Sequence, residues 1–487
     1  MSNTKEIERA ELHKTIWRIA NDLRGSVDGW DFKSYVLGML FYRFLSENLT
    51  SYLNAEEARA GNEDFNYALL SDKDAEYGRE EVVREKGFYI LPSELFNNVR
   101  FKARQDDNLN ETLSRVFANI EGSAIGTDSE DDFKGLFAEV DVNSNKLGAV
   151  VKKRNEKLVM LLEAIGDLPL GNGGDFGGNT IDLFGDAYEY LMQMYASTAG
   201  KSGGEFYTPQ EVSELLARIT VLGKTEINKV YDPACGSGSL LLNFAKVLGK
   251  DNVRQGFFGQ EINPESYAIC LAEMMIKGQN AENICYQDTM KADRFKGTKM
   301  RFVIENPPFG TPWGGKDAAE GVETAVQDEY KKGFDGRWGA GLPGSGDMQM
   351  LFLQSAIDKM DDNFGRAAII ENGSPLFSGG TASGESQIRR WMLENDLIEA
   401  IIALPVDLFY NTGIATYIWV LSKNKRPERK GKIQLIDASG FFKKLRKALG
   451  DKKNEISPED RTAITKLYAD FAENEYCKIY PNQEFIY

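Results

Sequence analysis

Val230-Tyr231-Asp232-Pro233-Ala234-Cys235-Gly236-Ser237-Gly238-Ser239 has the make-up of a strand that stops in a tight turn and continues as a helix. Val230 and Tyr231 are strong β-formers. Asp232-Pro233 ends the strand, because proline donates nothing to a ladder. Gly236 and Gly238 permit positive φ and close approach of the backbone to a ligand. From Ser239 to Val247 apolar residues recur at helical spacing. A unit of this kind aims free backbone N–H groups at a bound polar ligand. Many purely structural turns also carry two glycines, so the turn alone leaves both readings open. Gly256 to Glu261 reads as a second strand ending in an acid, about 25 residues after the turn, where a carboxylate accepts hydrogen bonds from both hydroxyls of a ribose. Asn283 to Gln287 is a short strand with Asp288 at its end. Asp232, Glu261 and Asp288 therefore place three acceptors along one sheet edge, where open α/β sheets take ligands.

Arg301 to Ile304 is a fourth strand, and it ends in Glu305-Asn306-Pro307-Pro308-Phe309-Gly310. Two consecutive prolines force a stiff, preset turn there. Asn-Pro-Pro-aromatic after a strand recurs in enzymes that methylate a planar nitrogen: adenine, the guanine exocyclic amine or a glutamine amide. With the glycine turn upstream, the chain resembles the amino-methylating, S-adenosylmethionine-dependent DNA methyltransferases. Flanking sequence narrows the resemblance to the modification (methyltransferase) subunit of type I restriction–modification systems. The segments that carry it are Asp28-Gly29-Trp30-Asp31-Phe32-Lys33 through Phe41-Tyr42-Arg43-Phe44, Lys201 to Pro209, Leu404-Pro405 and Phe409 to Gly413. It is most specific at 201–242 and 301–310, good at 28–45 and 398–422, and loose at 50–130 and beyond 440. One departure is Arg301-Phe302, where relatives usually have Phe-Asp.

The resemblance implies a Rossmann-like α/β methyltransferase domain with a mixed seven-stranded sheet, preceded by a mainly helical domain. It implies S-adenosylmethionine as cofactor, held by Asp232, Cys235, Gly236, Ser237, Gly238, Ser239, Glu261 and Asp288. Glu205, Phe206, Tyr207 and Thr208 would cover its methionine end, and Asp288 would meet its adenine amino group. Asn306, Pro307, Pro308 and Phe309 become the catalytic set. An exocyclic adenine amine is a poor nucleophile, because its lone pair is delocalised into the ring. The Asn306 side-chain oxygen and the Pro307 carbonyl would accept its two hydrogens and stabilise the positive charge that develops during transfer. Phe309 would stack on a base removed from the helix. The implied activity is adenine-N6 methylation of double-stranded DNA, at a site chosen by a specificity subunit that binds two copies of this chain. A restriction subunit can join that complex. The competing readings are a stand-alone DNA or RNA amino-methyltransferase and a cofactor-binding subunit without turnover.

The elements that must hold these residues follow from pattern and composition. The chain has 487 residues, room for two or three domains. His13 is its only histidine, which excludes histidine-based nucleophilic catalysis and His-x-x-x-His metal sites. Cys235, Cys270, Cys285 and Cys477 lack the spacing of a disulfide framework or a zinc site, so no metal is expected. The net charge of −16 is the reverse of an autonomous DNA-binding footprint, so an acidic chain that modifies DNA needs local basic patches or a DNA-binding partner. No apolar run reaches the length of a membrane span and the N-terminus has no signal-peptide core, so a cytoplasmic location is the default. The expected organisation is a helical domain over 1–165, a glycine-rich linker over 166–180, the catalytic domain over 181–440 and a helical tail over 441–487, which the resemblance assigns to partner docking. Helices are expected at Phe441 to Gly450 and Pro458 to Ala472. Thr311 to Gly346 reads as a long glycine-rich loop, of a length that is either functional or disordered.

Overall fold

The computed structural model of the chain describes residues 10–19, 29–127, 129–168, 190, 208–225, 227–249, 252–276 and 279–485. They fall into two compact units, Met1–Thr198 with Leu271–Glu282 and Ala199–Cys270 with Asn283–Tyr487. The expected linker and the segment Lys201 to Tyr207 lie almost wholly outside the described residues.

The first unit is helical. Its longest element, α1 (Gly29–Arg59), is followed by α2 (Leu109–Ser123) and α3 (Val151–Gly166). Along α1, Tyr35 to Leu37, Met39 to Tyr42, Phe44 and Leu45 are all buried, so it is packed on several sides rather than along one stripe. Arg43 donates from Nη1 to the carbonyls of Ile165 (2.7 Å) and Leu168 (3.0 Å). It thereby fastens α1 to the last turn of α3 and to the chain just beyond it.

The second unit carries α4 (Gln210–Thr220), α5 (Ser239–Leu248) and the start of α6 (Pro264–Ile276), and is built on a nine-stranded mixed sheet, in the order β11-β8-β6-β7-β5-β4-β1-β2-β3. These are β1 (Val230–Asp232), β2 (Phe257–Glu261), β3 (Ile284–Tyr286), β4 (Phe302–Glu305), β5 (Arg366–Asn372), β6 (Ile398–Ala403), β7 (Thr416–Ser422), β8 (Lys432–Asp437) and β11 (Cys477–Pro481). The sheet is mixed as expected but wider than seven strands, because β8 and β11 extend it beyond β6. β11 pairs antiparallel with β8 from Cys477↔Ile436 to Pro481↔Lys432. β1 is flanked by β2 and β4, both parallel to it. The chain fills β2 and β3 on one side of β1 and then crosses to β4 on the other, so the order reverses between β1 and β4. The carboxyl ends beside such a reversal form the crevice where open α/β sheets bind ligands.

Two local expectations are overturned. Phe441 to Gly450 is not a helix: β9 (Lys443–Leu449) and β10 (Lys452–Glu455) form an antiparallel hairpin. Gly450 takes φ +65° in the two-residue connection, as a hairpin turn demands. Lys452 and Asn454 are buried and bonded to the segment after β6, and this tertiary anchorage outweighs the helix propensity of a Lys-, Leu- and Ala-rich run. Residues 311–346 in turn carry α7 (Val322–Tyr330) and a small core of their own, with Trp313, Val322, Val326 and Trp338 packed on Leu351 and Phe352.

Candidate active site

β1 delivers Asp232 to the reversal point, and Asp232 is fully buried. Its Oδ1 accepts from the Ala234 N–H at 3.0 Å, while its Oδ2 has no partner among the described residues. Burial, reinforced by the nearby Glu261 carboxylate, pushes its pKa up to about 8 against the Ala234 hydrogen bond. Gly236 and Gly238 both adopt positive φ, +55° and +79°, as the turn requires. A side chain built on Gly236 would meet nothing within 4 Å, so the turn faces open space.

The turn's N–H groups are not all free for a ligand, which corrects the expectation from sequence. Gly236 N–H donates to Glu261 Oε2 at 2.8 Å, and Gly238 N–H to the Cys235 carbonyl at 2.8 Å. Glu261 holds the turn closed because its second oxygen also takes the Asn263 N–H at 2.7 Å. Further donors lie at the start of α5 (Ser239–Leu248), which has no side-chain cap at Gly238. Cys235 is buried, and hydrogen bonding to Cys270 together with burial keeps its thiol protonated and inert. Asp288 stands two residues beyond β3, where its Oδ1 accepts from Met290 N–H at 2.9 Å.

β4 brings Asn306 beside this crevice, through the register Val230↔Phe302 and Tyr231↔Val303. Asn306 is 6% exposed. Its Nδ2 donates to Thr208 Oγ1 at 2.9 Å, and its Oδ1 is buried and, among the described residues, without a partner. The amide is thus held at one end with its acceptor end free. Pro307 is buried; Pro308 and Phe309 are half-exposed at the mouth. Behind them Glu305 and Glu371 are fully buried with both oxygens unpartnered, and burial raises both pKa values well above the usual range. The structure therefore gathers Thr208, 232–239, Glu261, Asp288 and 306–309 along the carboxyl edge of one sheet. Glu205, Phe206 and Tyr207 lie outside the described residues.

Three positioning residues escaped the sequence reading. Gln260 is wholly buried on β2 and clamps the segment after β3: its Nε2 reaches Thr289 Oγ1 (3.1 Å) and the Ala292 carbonyl (3.0 Å), and its Oε1 takes Arg294 N–H (2.9 Å). An amide amid an apolar strand was the available signal. Gly259 lets the turn pack on β2, since a side chain there would sit 2.9 Å from Cys235 Sγ. Arg337 is buried, pairs with Glu329 at 2.7 Å, and donates to the Thr289 carbonyl at 2.6 Å. It fastens the 311–346 segment to the stretch carrying Asp288.

The comparisons with known proteins agree with this geometry. The N-6 DNA Methylase family matches residues 179–486, and the HsdM N-terminal domain matches residues 12–165. The chain is 39% identical to the Type I restriction enzyme MpnII methylase subunit of Mycoplasma pneumoniae, over 96% of this chain and 85% of that one. It superposes on the type I restriction–modification methyltransferase subunit of Streptococcus thermophilus with a TM-score of 0.80 at 27% identity, covering 98% and 97% of the two chains. At 19% identity and a TM-score of 0.64 it shares its fold with a chain from a study of complex assembly in the type I R-M system, covering 98% and 88%. The family models together span most of the chain and the 39% identical relative covers nearly all of it, so the chain belongs to the N-6 DNA methylases that serve as methylase subunits of type I restriction enzymes.

Proposed function

We propose that the chain uses S-adenosylmethionine to methylate N6 of an adenine turned out of double-stranded DNA, at a site selected by a specificity subunit. The observation that carries the chemistry is the Asn306 amide, with Nδ2 tethered to Thr208 and Oδ1 buried and unpartnered. An isolated acceptor of this kind is costly unless something is brought to it. An adenine amino group supplies the missing donors, and Oδ1 with the Pro307 carbonyl then holds both hydrogens as charge develops on nitrogen. Phe309, half-exposed at the mouth, stacks on the extruded ring.

The residues present fit the cofactor. Asp232 has a free buried oxygen, Gly236 opens onto unfilled space, and the start of α5 has no side-chain cap. Glu261 and Asp288 would receive its ribose and adenine, and Thr208, with Glu205 to Tyr207, its methionine end. When bound, S-adenosylmethionine supplies an electrophilic methyl group. The chain's own task is to fix the amine in line and keep water out. On this reading two copies of the chain sit on one specificity subunit, with a restriction subunit as a further partner; the likeness to a methylase subunit of a type I restriction enzyme and to a chain from a type I R-M assembly supports membership of such a complex.

In the complex with the specificity subunit, Asn306→Ala should cut methyl transfer about a hundred- to a thousandfold, by analogy with loss of one oxyanion-hole donor. Calorimetric affinity for S-adenosylmethionine should persist. Methylation at the parental rate would remove Asn306 from the chemistry.

A further inference from the structure

We infer that the β9–β10 hairpin is a basic ribbon that grips the phosphate backbone of the substrate DNA beside the active site. Residues 443–455 hold six Lys or Arg against two acids, in a chain whose net charge is −16. Lys443, Lys444, Arg446 and Lys447 are exposed on β9. Among the described residues the side chains of Lys444, Arg446 and Lys447 make no ion pair or hydrogen bond, and that of Lys443 has only a loose contact with the exposed Glu459 at 3.4 Å. Lysines on a strand also deter edge-to-edge pairing. That purpose requires neither four cations in five residues nor the anchorage found here.

The ribbon is fixed by its other strand. Lys452, 3% exposed, pairs with Glu211 and donates to the Leu408 carbonyl at 3.0 Å. Asp451 N–H reaches the Tyr410 carbonyl at 2.9 Å, and Lys453 and Asn454 N–H both reach the Asp407 carbonyl, at 2.9 and 3.1 Å. Asn454 Nδ2 adds the Val406 carbonyl at 2.9 Å. One strand is therefore sewn to the segment after β6, and the other presents its cations to solvent.

The sheet decides where that segment lies. β5 is parallel to β4, β7 is antiparallel to both β5 and β6, and β8 is parallel to β6. The carboxyl ends of β6 and β8 thus leave the same edge as those of β1 and β4, which carry Asp232 and Asn306. Glu211, the partner of Lys452, lies three residues after Thr208, which holds the Asn306 amide. The exposed run offers a dense row of cations, and we assign it to phosphates, which give no sequence preference, rather than to base edges; equal losses on cognate and unrelated duplexes distinguish the two.

This inference rests on DNA as the substrate of the site above. Its test compares the full chain, assembled with its specificity subunit, with the same complex carrying Lys444→Glu, Arg446→Glu and Lys447→Glu together. The probe is a fluorescent duplex containing the recognition sequence, titrated by anisotropy across a range of salt. We expect affinity to fall at least about tenfold for cognate and unrelated duplexes alike, and the salt slope to become shallower by about two to three per ribbon engaged. S-adenosylmethionine affinity should be unchanged, and Arg or Lys exchanges at the same positions should keep the parental slope. A triple variant with parental affinity and slope overturns the inference. So does failure of the variant to assemble with the specificity subunit, which would make the ribbon a protein-docking surface. If the parent complex itself holds no DNA, the reading of the whole site falls and the ribbon with it.

Discussion

Asp232 couples the site to pH through a single atom. In the unfolded chain its carboxyl titrates near 3.8, whereas burial holds it at about 8 in the folded one. Between those values the folded chain keeps a proton that the unfolded chain has released. Stability therefore falls as pH rises through this window, by up to about 1.4 kcal/mol per pH unit. A cationic ligand at the free Oδ2 favours the ionised carboxyl. S-adenosylmethionine binding should then release a proton, tighten as pH climbs towards about 8, and level off above it. Calorimetry in buffers of different ionisation enthalpy measures that proton, and Asp232→Asn should abolish its release. Parental binding that is flat from pH 6 to 9 and releases no proton would reject the role. A second residue acts through Asn306. Thr208→Val keeps the shape but removes the acceptor of Nδ2, and should lower turnover by up to about tenfold, the worth of one hydrogen bond, whereas Thr208→Ser should restore it. The placement of Asn306 and the strand-end acids along one sheet edge was legible, because residue type and position both pointed to it. Gln260 was not, because which strands lie side by side is written only in the fold.

At the scale of elements, the glycine turn and the 311–346 segment carry opposite lessons. The turn was legible from strand, proline and glycines, and both glycines take the positive φ that was anticipated. Gly238→Val forces a β-branched residue to φ +79° at the start of α5, and should eliminate S-adenosylmethionine binding in a chain that still folds. Unchanged affinity by calorimetry would exclude the turn from the site. The 311–346 segment looked structureless because glycine and charge dominate its composition. Its order comes from two tryptophans, Trp313 and Trp338, whose indoles donate to the Gly344 and Leu351 carbonyls at 3.2 Å, and from Arg337. Arg337→Ala leaves Glu329 and the Thr289 carbonyl without their partner. It should cost about 3 kcal/mol in chemical denaturation and speed hydrogen exchange in α7. Protection equal to that of the parent chain would mean that packing of the tryptophans alone orders the segment. The hairpin at 443–455 was misread for a related reason. Leu445, Ala448 and Leu449 recur at helical spacing, but Lys452 and Asn454 fix the following strand to the segment after β6, and long-range bonds outrank local propensity.

At the scale of the whole molecule, charge and site are mismatched in a way that demands a partner. A chain of net charge −16 repels the polyanion it modifies. One ribbon with three unpaired cations supplies only a few of the phosphate contacts on which DNA affinity depends, and those contacts weaken steeply with salt. On the proposed reading the site takes one base and a cofactor, and the ribbon's cations meet phosphates rather than base edges. On that reading sequence choice comes from another subunit, which also supplies most of the electrostatic attraction. The isolated chain should therefore bind S-adenosylmethionine but show little affinity for duplex DNA at physiological salt and no sequence-specific transfer. Adding the specificity subunit should restore DNA binding and adenine methylation together, in an assembly whose measured mass corresponds to two copies of this chain and one partner. Lowering the salt should recover weak, sequence-independent binding by the isolated chain, because the ribbon is then unscreened, without recovering specific methylation. Robust transfer to a defined sequence by the chain alone would contradict this division of labour and show that base recognition resides within these 487 residues.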